Sequence, residues 1–114
     1  RAAAKKRAEL DRAIDAELFR ALADRTRARL FACLARCRRP CCVSELAACA
    51  AVDFSVTARH LKALERAGLV VAVKRGRMVW YGVRCAAFSA RLRAIADAID
   101  ACAVREDGCS PGGC

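Results

Sequence analysis

The chain contains no asparagine and no glutamine, and only one histidine and six aromatic residues among its 114 positions. Without side-chain amides, it cannot make the bidentate contacts by which Asn and Gln read adenine. No apolar run approaches the roughly 20 residues that cross a bilayer, and no hydrophobic stretch typical of a signal peptide is visible. We therefore expect a cytoplasmic protein with no membrane partner.

Positive charge is concentrated in the first three-quarters of the chain. The formal net charge is +10. Residues 1–39 hold twelve basic and five acidic side chains, residues 40–85 hold seven and three, and residues 86–114 hold three and four. Such a cationic surface suits a polyanion such as DNA, because each neutralised phosphate releases a counterion. A charge excess that only aids solubility is the alternative.

A short basic helix is predicted from about Ser55 to the expected stop at Gly68. Its inward face has residues at helical spacing, namely Thr57, Leu61 and Leu64. Its opposite face carries polar and basic side chains: Ser55, Arg59, Lys62 and Arg66. One face therefore packs and the other carries charge.

A hairpin with a basic tip follows this helix directly. Two apolar runs rich in β-branched residues, ending at Val73 and beginning at Met78, flank the turn Lys74-Arg75-Gly76-Arg77. Glycine in the turn supplies the positive φ that such a connection needs. The basic helix and the hairpin together predict a helix that enters a DNA groove beside a cationic wing that contacts the phosphates.

Helical spacing of apolar residues predicts further helices on both sides. The first has a four-residue step: Leu10, Ile14, Leu18 and Leu22. The second begins at a Thr26 cap and has an apolar stripe of Leu30, Cys33, Leu34 and Cys37. The third runs from about Val43 to Cys49, with Cys42 and Glu45 arranged as a capping box. The last has the stripe Phe88, Leu92, Ile95, Ile99 and Cys102.

These elements predict a mainly α-helical fold with a two-stranded β-wing. We expect one domain over residues 1–107 and a flexible Cys/Gly tail over residues 108–114. Much of the apolar content is alanine, so a dimer interface would help complete the core.

The order of elements and several motifs resemble one known family. The segments that carry the likeness are Glu17–Arg27, Val43–Ala47, Arg59–Leu64 followed by Ala67–Val70, and Arg75–Arg77. They are similar to the ArsR/SmtB (arsenic-type) family of winged helix-turn-helix metalloregulatory transcriptional repressors. The resemblance implies a homodimer through the first and last helices, and an operator released by a metal ion. The family's arsenic motif has two cysteines flanking a valine, whereas here Cys41-Cys42-Val43-Ser44 shifts one thiol.

Candidate DNA contacts follow from a dimer whose two basic helices enter successive major grooves, roughly 34–36 Å apart, in double-stranded operator DNA. Arg59 is the best candidate for reading guanine, Ser55 for a phosphate or base edge, and Val56 for a thymine methyl group. His60 and Lys62 lie to either side of Arg59. The wing residues that would hold the backbone are Lys74, Arg75 and Arg77.

The nine cysteines divide into different classes. Cys33, Cys37 and Cys102 share apolar stripes and are expected to be small buried hydrophobes. Cys41 and Cys42 follow two arginines and open a helix, where positive charge and free N–H groups favour thiolate. Roles for Cys49 and Cys85 stay open.

Adjacent thiolates suit a soft, thiophilic ion. We expect As(III), or a similar ion such as Sb(III), Cd(II) or Hg(II), to be bound by Cys41, Cys42 and a tail thiol, Cys109 or Cys114. Arsenic is favoured by the resemblance. Disorder of the tail, without a role in binding, is the alternative.

Three other functions stay open at this stage. The cysteines could form disulfides, making the repressor a thiol redox sensor. The chain could be a thiol-rich metal-carrying protein or an enzyme, but a thiol enzyme needs a base near its cysteine, and the one histidine lies on the basic helix. It could also be a dimeric DNA-binding module without a ligand.

Overall fold

The computed structural model of the chain describes residues 2–102, without the side chains of Ala2, Ala3, Lys6 and Arg7. Helices and short strands alternate along this range. In chain order they are α1 (Ala2–Ala13), α2 (Ala16–Ala23), α3 (Arg25–Cys37), β1 (Cys41–Cys42), α4 (Val43–Ala50), α5 (Phe54–Arg66), β2 (Val71–Arg75), β3 (Met78–Gly82) and α6 (Cys85–Ala101). The predicted tail, residues 108–114, and its thiols Cys109 and Cys114 lie outside the described residues.

The chain forms two compact units, and the larger one is Ala16–Phe88. Its core is built from leucines that α2, α3, α4 and α5 each contribute. The fully buried ones are Leu18, Leu30, Leu34, Leu46, Leu61 and Leu64. Burying each leucine stabilises the unit by about 1.5–3 kcal/mol. The predicted inward face of the basic helix is confirmed, because Thr57, Leu61 and Leu64 are all fully buried.

The second unit combines the start of the chain with residues from Ser89 onward. Asp15 accepts a 2.7 Å hydrogen bond from Arg91 Nη2 in a half-exposed ion pair. Ile95 is buried, whereas Leu92 and Ile99, from the same apolar stripe, are 41% and 51% exposed. The last predicted helix is confirmed, but the single chain leaves much of its apolar stripe in solvent.

The predicted continuous first helix is wrong. α1 ends at Ala13 and α2 begins at Ala16, so the chain leaves the helix at Ile14 and Asp15. Leu18 is fully buried, whereas Ile14 is 46% exposed. The apolar residues recur every four positions on both sides of the break, although they belong to two separate helices. The spacing alone therefore does not reveal the break.

The predicted Thr26 cap of the next helix is also wrong. Asp24 is the N-cap of α3, and its carboxylate accepts a 3.0 Å hydrogen bond from the Arg27 backbone N–H. That hydrogen bond is the main cause of the lowered pKa of Asp24. Thr26 lies inside the first turn. Aspartate and threonine are both good caps, and the backbone conformation at Asp24 decides between them.

Two cysteines expected in the core are exposed. Cys33 is buried as predicted, but Cys37, the last residue of α3, and Cys102, just after α6, are both exposed. Each lies where its helix ends, beyond the packed part of its stripe. Helical spacing therefore placed them on the correct face but could not show where packing stops.

The third predicted helix is confirmed as α4, and so is its capping box. Cys42 is the N-cap, and its backbone N–H donates to Glu45 Oε1 at 3.1 Å. Arg39 donates to the other carboxylate oxygen at 2.7 Å. These two contacts fix Glu45 at the junction between α3 and α4.

The wing sheet has a third strand that was not predicted. β1 pairs antiparallel with β3, placing Cys41 opposite Tyr81 and Cys42 opposite Trp80, and the strand order is β1-β3-β2. A two-residue strand is too short to show the alternation that identifies strands in a sequence. The predicted β2–β3 hairpin is confirmed, with Gly76 at φ +64° in its turn.

Within residues 2–102, no helix has both the length and the apolar character needed to span a membrane.

Gly76 provides a test of the hairpin turn. Its φ of +64° strains any residue with a Cβ, although nothing lies within 4 Å of a Cβ built there. Gly76→Ala should lower the free energy of unfolding by about 1–2 kcal/mol, the cost of a left-handed backbone. Gly82→Ala is the matched control, because that site is equally open and lacks a positive φ, and it should be nearly neutral. Equal urea-unfolding midpoints for both variants would contradict this account.

Glu45 should make stability depend on pH. Arg39 and the Cys42 N–H lower the pKa of Glu45 from 4.5 to about 2. A carboxylate with a lowered folded-state pKa stabilises the protein above its unfolded-state pKa, and loses that contribution as the pH falls towards the folded-state value. The stability gap between the wild type and Glu45→Gln should be full at pH 7 and shrink below about pH 4.5. Urea unfolding across this range measures the gap; a gap independent of pH would show that the carboxylate contributes no charge-dependent stability.

Candidate nucleic-acid interface and thiol sites

Helix α5 presents a cationic face to solvent. Arg59, Lys62 and Arg66 are exposed, whereas Thr57 on the inner face donates its hydroxyl proton to the Asp53 carbonyl oxygen at 2.8 Å. The buried face anchors the helix and leaves the three basic side chains in solvent. This arrangement matches the requirement for a helix that enters a DNA groove.

The start of α5 is organised by Asp53, its N-cap. Asp53 Oδ2 accepts hydrogen bonds from the Ser55 backbone N–H at 3.1 Å and from the Ser55 hydroxyl at 2.6 Å. These contacts lower the pKa of Asp53. The hydroxyl proton of Ser55 is therefore occupied, while its oxygen still has the capacity to accept. Next to it, Val56 is half-buried and Phe54, which the sequence analysis did not select, is 58% exposed.

His60 is held against another helix rather than directed freely to solvent. It is half-buried, and its Nδ1 lies 3.3 Å from Arg27 Nη1. Arg27 also donates from Nε to the Ala21 carbonyl oxygen at 2.8 Å and from Nη2 to that of Arg20 at 3.3 Å. Arg27 thus links the end of α2 to α5. Its spacing in the sequence gave no sign of this positioning role, because the contacts depend on how three helices pack.

The wing residues lie in and beside the β2–β3 turn. Lys74 and Arg75 end β2, Gly76 and Arg77 form the turn, and the three basic side chains are exposed. The turn and the exposed face of α5 belong to the same compact unit, Ala16–Phe88. The unit therefore carries both cationic features that the sequence predicted.

Cys41 and Cys42 have different neighbours, although they are adjacent in the chain. The Cys41 sulfur lies 3.5 Å from the Arg39 carbonyl oxygen, whereas the Cys42 sulfur lies 3.5 Å from Ser44 Oγ. Successive side chains of a strand generally point to opposite faces. Strand pairing with β3 thus separates the surroundings of the two thiols that the sequence analysis grouped.

The expected thiolate character of Cys41 is wrong. Burial and, second, the neighbouring Cys37 thiol raise the pKa of the Cys41 thiol to about 11, although Arg39 opposes them. The residue is only 1% exposed. Desolvation disfavours the charged form more strongly than one nearby guanidinium favours it. The sequence showed the arginines that favour a thiolate at Cys41, but it did not show that this residue is buried.

Two pairs of neighbouring thiols were not predicted. The Cys37 thiol, at the end of α3, raises the pKa of Cys41, and the Cys49 thiol, in α4, raises the pKa of Cys33. Burial is the main reason that the pKa of Cys33 is raised. Both pairs join a buried sulfur to an exposed one. The first depends on the turn after α3 and the second on the packing of α3 against α4, neither of which helical spacing reveals.

Among the described residues, no group of three or more His, Cys, Asp and Glu side chains is arranged to hold a metal ion. Cys109 and Cys114, which were predicted to complete the set with Cys41 and Cys42, lie outside those residues.

Comparison with known proteins identifies the fold. A family model described as a helix-turn-helix domain matches residues 22–73. No curated protein matches the chain in sequence. An ArsR-like transcriptional regulator from Rhodococcus sp. RHA1 is 34% identical, with a TM-score of 0.63, over 79% of this chain and 78% of the relative.

Two further solved structures are similar. The cadmium metal-sensor CMTR from Mycobacterium tuberculosis is 37% identical, with a TM-score of 0.56, over 69% of this chain and 80% of that one. A homodimeric winged helix-turn-helix DNA-binding domain from Mycobacterium bovis is 26% identical, with a TM-score of 0.58, over 72% of this chain and 77% of that one. Helix order, wing and basic helix agree with these likenesses, and the chain belongs to the ArsR family of winged helix-turn-helix transcriptional regulators.

Proposed function

We propose that the protein is a homodimeric repressor that binds double-stranded operator DNA and is released by a thiophilic metal ion or metalloid. The observation that carries the DNA-binding part is the exposed basic face of α5, whose opposite face is fully buried, in one unit with a cationic wing. The cytoplasm is the proposed location, since that is where a repressor meets its operator.

Arg59 is the proposed reader of guanine in the major groove. It is exposed in the middle of α5, and an arginine can make two hydrogen bonds to the guanine edge. Lys62 and the oxygen of Ser55 would contact the phosphates, and His60 would act mainly by holding α5 to Arg27. Val56 is the proposed contact to a thymine methyl group.

The wing would hold the DNA backbone through Lys74, Arg75 and Arg77. Their positions in and beside a short turn favour phosphate contacts, which add affinity more than specificity. The chain contains no Asn or Gln, so preference for A·T pairs would come from Val56 or from DNA shape.

Dimerisation is proposed through the unit that holds α1 and most of α6. Leu92 and Ile99 expose apolar surface there, and the related domain from Mycobacterium bovis is homodimeric. Covering this surface with a second copy would remove apolar area from water. A dimer would also present two α5 helices to the two halves of a palindromic operator.

Replacing Arg59 tests the DNA-binding proposal. Arg59→Ala should weaken operator binding by about 1–3 kcal/mol, the usual cost of losing a bidentate guanine contact. Because the side chain is exposed, the thermal unfolding midpoint should change little. Fluorescence anisotropy with a labelled promoter fragment measures the affinity. Arg93→Ala, an exposed arginine on α6, is the control and should bind like the wild type; unchanged affinity of Arg59→Ala would remove Arg59 from the proposed interface.

The proposed inducer is a soft ion held by cysteine thiolates. Arsenite is the first candidate because of the family resemblance, and cadmium is supported by the cadmium sensor from Mycobacterium tuberculosis. Sb(III) and Hg(II) share the same preference for sulfur. Cys41 and Cys42, completed by Cys109 or Cys114, form the proposed ligand set.

The position of Cys42 offers a mechanism for release. As the N-cap residue it holds the start of α4, and α4 packs directly against α5. The Cys41 and Cys42 sulfurs have different neighbours, so binding one ion through both would turn the Cys42 side chain away from Ser44 Oγ. A shift of the Cys42 backbone in response would disturb the N-cap of α4 and, with it, the basic helix. The effector shifts the equilibrium only as far as it binds the released state more tightly.

Removing both thiols tests the inducer site. Cys41→Ser combined with Cys42→Ser should stay on the promoter fragment at an arsenite concentration that releases the wild type, because the ion loses two ligands. Cys85→Ser, which removes an exposed thiol at the start of α6, should be released normally. Release of the double variant at the wild-type dose would exclude this site.

A redox-sensing repressor is the second candidate, and the two pairs of neighbouring thiols, Cys37 with Cys41 and Cys33 with Cys49, favour it. Each pair could close into a disulfide when an oxidant removes two electrons and two protons. Titration with arsenite under anaerobic, reducing conditions separates the two functions. A metal sensor releases DNA under these conditions, whereas a redox sensor does not respond.

A further inference from the structure

The guanidinium of Arg27 contacts the His60 ring and is itself held by the backbone. Its Nε donates to the Ala21 carbonyl oxygen at 2.8 Å, and its Nη2 donates to that of Arg20 at 3.3 Å. Both carbonyls belong to the last four residues of α2, whose carbonyl groups have no partner within the helix. Because a guanidinium is planar, these contacts fix the direction of the remaining nitrogen. That nitrogen, Nη1, lies 3.3 Å from His60 Nδ1.

The chemistry of this contact selects one tautomer of His60. A guanidinium has N–H donors and no acceptor, so Nδ1 of the imidazole must accept. A neutral imidazole carries one ring proton, which then lies on Nε2. A charged imidazolium would direct an N–H group at the guanidinium, and two positive charges would face each other. Arg27 therefore holds His60 as the neutral ring that is protonated on Nε2.

The Nε2–H group of His60 is accessible to a ligand. Among the described residues, no buried side-chain nitrogen or oxygen lacks a hydrogen-bond partner, and the His60 side chain bonds only through Nδ1. Nε2 therefore reaches solvent, in agreement with the half-buried state of the residue. His60 follows the exposed Arg59 in α5 but lies on the flank of the helix that faces Arg27. It thus offers one oriented donor at the edge of the basic face.

The surroundings of this donor suit a phosphate group. Ala63, almost one turn after His60, lines a cleft of about 240 Å³ where α2, α3 and α5 meet. The charged residues that line this cleft are Glu17, Arg20, Arg27 and Arg66. Three positive charges and one negative charge favour an anion on this flank. An α-helix with its side chains, about 10–12 Å across, fills a major groove about 12 Å wide, so its flanks lie near the phosphates.

We propose that Arg27 is a positioning residue for DNA binding, because it holds His60 as the neutral tautomer whose Nε2–H donates to a phosphate of the DNA backbone. Arg27 acts through His60, since its own guanidinium nitrogens are engaged within the protein. A hydrogen bond to a charged acceptor contributes about tenfold or more to an equilibrium constant. This inference rests on the proposed function for its DNA ligand, and it adds a direct contact to the part that His60 plays in holding α5.

The first experiment determines the tautomer without DNA. His60 is the only histidine, so a long-range ¹H–¹⁵N NMR spectrum of the full chain contains a single imidazole. At about pH 8, where an ordinary imidazole is neutral, Nε2 should be protonated and Nδ1 unprotonated. Arg27→Met keeps an apolar stem but removes the donors, and a measurable fraction of the other tautomer should appear. Arg29→Met removes another arginine of α3 that donates to a carbonyl oxygen, that of Ala50 at 3.4 Å, and should keep the wild-type spectrum.

The second experiment compares two amide replacements of His60. Glutamine places its amide nitrogen near the position of Nε2, whereas asparagine places it near that of Nδ1. The probe is a short duplex selected from random sequences by the wild type, and fluorescence anisotropy measures its affinity. His60→Gln should bind like the wild type, and His60→Asn about tenfold more weakly. The dependence of affinity on salt should be the same for both, because a neutral donor releases no counterion.

Two further measurements locate the contact and connect it to Arg27. An uncharged methylphosphonate at one position per half-site should weaken the wild type more than His60→Asn. The double variant Arg27→Met with His60→Asn should bind no more weakly than the weaker of the two single variants, because both changes remove the same contact. Thermal unfolding midpoints show whether each variant is folded at the assay temperature.

Several outcomes would overturn this inference alone. They are a protonated Nδ1 in the wild type, an unchanged spectrum in Arg27→Met, wild-type affinity of His60→Asn, and additive losses in the double variant. A salt slope that falls by about one in His60→Asn would show that the ring binds as a cation. Equal sensitivity to methylphosphonate at every position would place the donor on a base edge instead. If the wild type selects no duplex, the proposed function fails and the phosphate contact fails with it, while the NMR spectra still decide whether Arg27 selects the tautomer.

Discussion

Burial of one face of α5 is the constraint on which the DNA-binding surface depends. Thr57, Leu61 and Leu64 are inaccessible to solvent, and the Thr57 hydroxyl is bonded to the preceding turn. An α-helix with three residues locked on one side has no freedom to rotate about its axis. The direction of Arg59 and Lys62 is therefore a consequence of core packing. The leucines and the basic residues act together, since neither set alone would orient a charged face towards DNA.

The junction between α3 and α4 connects the sulfur chemistry to that helix. Within a few residues it contains the end of α3, the strand that extends the wing sheet, and the capping box of α4. Arg39 and Glu45 hold the junction by a 2.7 Å contact, and Cys42 bonds to the same carboxylate through its backbone. A change at these thiols has a short physical route to the basic helix, because α4 packs against α5.

Burial of a cysteine affects the sensing of oxidants and the sensing of soft metal ions in opposite ways. A buried thiol such as Cys41, with its pKa raised to about 11, is slow to attack an oxidant. The same sulfur remains a strong ligand for soft ions, whose affinity for thiolate offsets the cost of removing the proton. This contrast is the physical reason for placing metal sensing ahead of redox sensing in the proposed function.

The amino-acid sequence by itself determined the helices around the core, the hairpin with Gly76 in its turn, the capping box at Cys42 and the basic face of α5. Each of these follows from periodicity or from a local backbone requirement, which neighbouring residues are sufficient to impose. Only the tertiary structure decided that the first helix breaks at Ile14, that Cys41 is desolvated, and that Arg27 holds His60. It also decided that the thiols of Cys37 and Cys49 influence the pKa values of Cys41 and Cys33. These features depend on strand pairing and on helix packing between segments distant in the chain, and no local pattern carries that information.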